Sequence, residues 1–147
     1  MLNKTTNKIV CPIRGGTSSR YAEERAAELA EERGSQLVFV HVIDPIHVQS
    51  KDAPLSDAVL AEMEYMGESF LCIAFERART RGIKAERIVL HGPVAATLEK
   101  FLIDAHASTL VVGSPDHDAG HGTFSREQFD KFVEHVWTAL HIEVVIV

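Results

Sequence analysis

Five short apolar runs alternate with four stretches of helical periodicity, and this alternation constrains the fold more than any other feature of the chain. The runs are KIVCPI (8–13), QLVFVHVI (36–43), RIVL (87–90), TLVVG (109–113) and the terminal IEVVIV (142–147). Each is β-rich and bounded by turn-forming residues, as strands are. The second is continuously apolar, as a strand covered on both faces must be. Between the first two, Thr17, Ser18 or Ser19 is expected to cap a helix reaching Arg33, with Ala22, Ala26, Leu29 and Ala30 on its inner stripe and Gly34 at its end. Leu55 to Arg81 reads as the longest helix, its core stripe being Val59, Met63, Met66, Phe70, Ile73 and Arg77, with the methionines as core filler and Gly82 as the stop. Val94 to His106 is a third helix, with Leu98, Leu102 and Ala105 facing inward. Ser125 and Gln128 form a capping-box pattern ahead of a last helix carrying Phe129, Phe132, Val133, Val136, Trp137 and Leu140.

Strands separated by helices run parallel, and right-handed crossovers then favour one α/β arrangement. It is an open doubly wound parallel sheet of five strands, order 3-2-1-4-5, with helices on both faces. In that order strands one and four are neighbours whose connections leave toward opposite faces, so a crevice opens at their carboxyl ends. Its walls are RGGTSS (14–19) and the stretch that begins VVGSPDHDAGHG at residue 111. At 147 residues, 46% apolar and 24% charged, the chain reads as a single domain spanning 1–147. A net charge of −6 argues against nucleic acid and anionic membranes as partners, since both reward a basic face. Cys11 and Cys72 fit buried, reduced thiols, and with no membrane-length apolar run or signal-type segment the expected location is the cytoplasm.

Three segments in order carry a family resemblance: KIVCPIRGGTSSRYAEERAAELAEERGSQLVFVHVIDP, then VLHGPVAATLEKFLIDAHASTLVVGS, then VEHVWTALHIEVVIV. Across nearly all of Lys8 to Val147 the chain resembles the universal stress proteins. The resemblance implies a Rossmann-like α/β domain of the adenine-nucleotide α-hydrolase-like superfamily, usually homodimeric and made under stress or starvation. One branch of that family binds ATP and another does not. The ATP-binding pattern has an Asp near the end of strand one. After strand four it has a glycine, two residues, a second glycine, nine residues, and a Gly followed by Ser or Thr. Gly113 matches the first glycine, but Arg14 stands in place of the Asp, Asp116 in place of the second glycine, and Asp130 and Lys131 in place of the final pair. ATP binding is therefore expected to be weakened or absent.

The chemistry agrees, because a triphosphate is held by backbone N–H groups at positions where glycine permits close approach, and Asp116 and Asp118 would repel it. Arg14 offers a forked cation suited to a small anionic ligand. The candidate binding residues are Pro12, Arg14, Gly15, Thr17, Val42, Gly113 and Ser114, with ATP or another adenine nucleotide as the group they would take. His117 and His121 are metal-ligand candidates, but their four-residue spacing suits a metal only on a helix, and two glycines and a proline make the segment a polar loop instead. A second functional class is an enzyme hydrolysing or transferring a phosphate-containing substrate, with Ser114 as nucleophile. Regulatory binding is the preferred reading, with no catalytic residue assigned. The terminal strand, an apolar edge, is the expected homodimer interface.

Overall fold

The computed structural model describes residues 7–44, 57–115 and 125–147. Nine elements follow in order: β1 (Lys8–Pro12), α1 (Thr17–Arg33), β2 (Gln36–Ile43), α2 (Asp57–Thr80), β3 (Ala85–His91), α3 (Val94–Asp104), β4 (Thr109–Val112), α4 (Arg126–Thr138) and β5 (Glu143–Ile146). The strands form one sheet of order β3-β2-β1-β4-β5, every pair parallel, which is the expected doubly wound fold.

Side-chain alternation along the strands builds a core on each face. Ile9, Cys11, Leu37 and Phe39 face α1 and α2, while Val10, Val38, Val40 and Leu110 face α3 and α4. Burying a Leu or Phe side chain completely contributes about 1.5–3 kcal/mol, so the two layers hold the sheet from both sides. The inner stripe of α1 is as expected: Ala22, Ala26, Leu29 and Ala30 are buried, and Gly34 closes the helix in the left-handed conformation with φ 63°. Leu98 and Leu102 of α3 also point inward, while Ala105 lies just past the helix end and is half-buried.

Three expectations are corrected. The buried side of α2 is Gly67, Leu71, Ala74 and Ala78, not the stripe of larger residues; Val59, Met66 and Ile73 are exposed. A Cβ on Gly67 would lie 2.5 Å from the His41 ring, so the helix sits too close to β2 for a larger residue there. Cys72 is exposed on that helix, whereas Cys11 is fully buried and burial pushes its thiol pKa well up. Trp137 is 60% exposed, leaving Phe129, Phe132 and Val136 as the buried face of α4.

Candidate functional site

The turn after β1 sets one wall of the crevice. Ile13 donates its N–H to the Val40 carbonyl at 2.7 Å, and its own carbonyl accepts from His41 Nδ1–H at 2.6 Å, which continues the sheet's bonding one residue past β1. Gly15 and Gly16 then adopt φ 81° and 88°, a left-handed pair that turns the chain into α1. Gly16 takes the N-cap position with no side-chain cap. Ser18 and Ser19, expected as caps, are buried and do other work: Ser19 Oγ accepts the Arg14 backbone N–H at 2.8 Å, and Ser18 Oγ accepts from Arg14 Nη2 at 3.0 Å. Both hydroxyls therefore hold Arg14, the residue whose guanidinium was expected at the crevice mouth.

The end of β4 forms the other wall. Ser114 donates its N–H to the Val147 carbonyl at 2.8 Å, and Val147 returns an N–H to Val112 at 2.9 Å, so β4 and β5 stay laced past their ends. Gly113 is pressed against the start of α1 so closely that a Cβ there would overlap the Ser18 carbonyl and hydroxyl. The glycine that matches the family landmark is thus required by the fold's own backbone, whatever else it contacts.

Between the walls lies a cavity of about 60 Å³. Pro12, Arg14, Val42 and Gly113 of the candidate set line it. Its floor is Val94, Leu98, Phe129 and Phe132, which the sequence reading left out of the site. Those four belong to the apolar faces of α3 and α4, and the signal that could have placed them is that both faces reach the crevice end of the sheet. Gly15 and Thr17 lie elsewhere, lining an open groove of about 690 Å³ between α1 and α2. Asp116, His117, Asp118 and His121 fall outside the described residues. Among the described residues, no cluster of His, Cys, Asp and Glu is placed to hold a metal.

The groove has its own electrostatics. Glu23 is buried at its floor, and Arg77 reaches it through Nη1 at 3.2 Å. Burial pushes the Glu23 carboxyl above its usual range, and the Arg77 charge pulls it part of the way back.

The chain matches the family model described as the universal stress protein family over residues 5–147. No curated protein matches it. Among solved structures, a universal stress protein family member from Burkholderia pseudomallei is 19% identical with TM-score 0.74, covering 99% of this chain and 98% of that one. A universal stress protein in complex with cAMP is 24% identical with TM-score 0.68, covering 96% of each chain. An Arabidopsis thaliana family protein with AMP bound is 16% identical with TM-score 0.65, covering 96% of this chain and 90% of that one. At these identities the likeness is one of fold.

Proposed function

The chain belongs to the universal stress protein family, and from that premise we propose that it is a stress-response binding and regulatory module whose ATP binding is weakened or absent. The observation that carries this reading is the crevice itself. Its cavity of about 60 Å³ is floored by Val94, Leu98, Phe129 and Phe132, whereas sites for drug-sized ligands span about 300–1000 Å³. Arg14 contributes a fixed cation beside it, oriented by Ser18, and a guanidinium fork suits one phosphate group. Solved relatives hold cAMP and AMP, each with a single phosphate. Carried over to this chain, that favours a single phosphate group at Arg14, free or at the end of a monoester whose remainder lies outside the small cavity, over a triphosphate, for which the sequence has Asp116, Asp130 and Lys131 in place of the cradling Gly, Gly and Ser or Thr. Residence in the cytoplasm and a homodimer through β5 belong to the same proposal.

The test is a titration of inorganic phosphate and AMP into the full chain, followed by NMR chemical shifts. Binding that disappears in Arg14→Ala, with a melting temperature within about 2 °C of wild type, supports the module, because a half-exposed residue at the crevice mouth supports little core. Equal binding in Arg14→Ala contradicts it. Steady turnover of a phosphoester that Ser114→Ala abolishes would make the crevice an active site instead.

A further inference from the structure

The groove between α1 and α2 lies on the opposite face of the sheet from the apolar floor of the crevice, which α3 and α4 supply. Its volume of about 690 Å³, against about 60 Å³ in the crevice, lies within the range of small-molecule sites, about 300–1000 Å³. Phe70 closes one end, its ring so near Gly15 that a Cβ there would lie 2.8 Å from it. Arg77, seven residues or about 10 Å further along α2, stands at the other end with Glu23. Ile73 lies between Phe70 and Arg77 on the α2 wall, and Tyr21 on the α1 wall.

A positive feature stands at each end of this apolar middle. Arg77 touches Glu23 through Nη1 alone, at 3.5 Å and 3.2 Å to the two carboxylate oxygens, and its side chain stays 45% exposed. Its Nε and Nη2 have no partner among the described residues, so Glu23 holds the guanidinium in place with most of its donors unused. At the Phe70 end the start of α1 opens into the groove through Gly15, Gly16 and Thr17, with no side-chain cap and no acidic residue in its first turn. The positive end of that helix dipole is therefore uncompensated. The groove's own anions are engaged: the Glu23 side chain is 8% exposed and paired with Arg77, and Glu24 pairs with Arg20 at 3.4 Å. A cation would have to displace Arg77 and then sit beside it, whereas a dianion would face two carboxylates. One unit of negative charge on an apolar body matches what is left.

We propose that this groove is a second ligand site, for a small aromatic carboxylate whose charged end docks on the Arg77 guanidinium and whose ring lies along Ile73 and Tyr21 toward Phe70. A planar arginine fork pairs a carboxylate through two parallel hydrogen bonds. Rings prefer the offset or edge-on contacts that Tyr21 and Phe70 offer. Glu23 is a positioning residue, which orients the fork without touching the ligand. The groove shares Ile13 and Ser19 with the crevice, as the reverse side of the same turn, but does not depend on the crevice having a ligand.

Titration of 3-phenylpropionate into the full chain, followed by NMR chemical shifts, tests the site, with 3-phenylpropylamine as the matched cation. The acid is expected to saturate with a dissociation constant below about 2 mM. The shifts should centre on the amides of Gly15, Tyr21, Ile73 and Arg77 and leave those of Val42 and Val112, in the crevice, in place. Arg77→Lys keeps a charge beside Glu23 but removes the fork, and is expected to raise the dissociation constant at least fivefold. Ile73→Glu sets a like charge on the wall at a half-exposed position that spares the core, and is expected to abolish saturation. That second variant carries the test if Arg77→Lys fails to fold. No saturation by the acid, equal affinity for the amine, shifts centred on Val42 and Val112, or binding indifferent to either folded variant would each overturn the groove site.

Discussion

At the scale of single residues, one polar cluster ties the end of α1 to the sheet edge. Arg33 grips Glu143 with both terminal nitrogens, at 2.6 Å and 3.3 Å, and the Thr109 hydroxyl donates to the same carboxylate at 3.0 Å. The Arg33 hydrogen bond holds the Glu143 carboxyl below its usual range, against the opposing effect of desolvation. A carboxylate whose folded pKa is depressed contributes stability that is present above its unfolded value of about 4.3 and lost as pH falls through the folded one. Arg33→Met is therefore expected to lower the melting temperature at pH 7 and to flatten its decline below about pH 4.3, as followed by thermal melts down the acid range. Parallel acid limbs in the two proteins would show that the pair contributes nothing on folding.

At the scale of elements, Gly113 is the most constrained junction, because the atoms next to it are the backbone of Ser18 and cannot move aside like a flexible side chain. Gly113→Ala is expected to destabilise the chain by about 1–3 kcal/mol in urea denaturation, the usual cost of overpacking. An unchanged midpoint would mean that β4 and α1 are not closely packed there. The order of elements was legible in the sequence because runs such as QLVFVHVI and the Ser125–Gln128 capping box each report a local rule, and the structure keeps both. The inward side of α2 was not legible. Periodicity locates the stripe of largest apolar residues, whereas the sheet took the stripe of smallest ones, Gly67, Ala74 and Ala78 around Leu71, since these let the helix approach β2 and β3. The same limit hid part of the site. Arg14, Val42 and Gly113 could be named from the loops and strand ends, but Phe129 and Phe132 enter the crevice only once α4 is folded across the sheet. Ser18 and Ser19 looked like caps, and the left-handed turn at Gly15 and Gly16 made them partners of Arg14 instead.

At the scale of the whole molecule, β5 lies at one edge of the sheet, and its ladder decides how that edge can be tested. Glu143 and Val147 direct their N–H groups toward β4, bonding Ser108 and Val112. In a parallel ladder successive residues face opposite sides, so Val144 and Ile146 direct theirs outward. Ile146 is half exposed there, paired with Val112 only on its inner side. If β5 forms the homodimer, Ile146→Pro removes an outward donor while sparing the bonds to β4, and light scattering should report loss of dimer without loss of fold. A dimer that survives would point to a different interface. The proposed loss of the triphosphate cradle from the family's crevice is tested most directly by isothermal titration of magnesium ATP into the full chain. It predicts a dissociation constant weaker than about 100 µM, equivalent to a binding free energy of only about 5 kcal/mol. A saturating isotherm at low-micromolar ATP with one nucleotide per chain would contradict it.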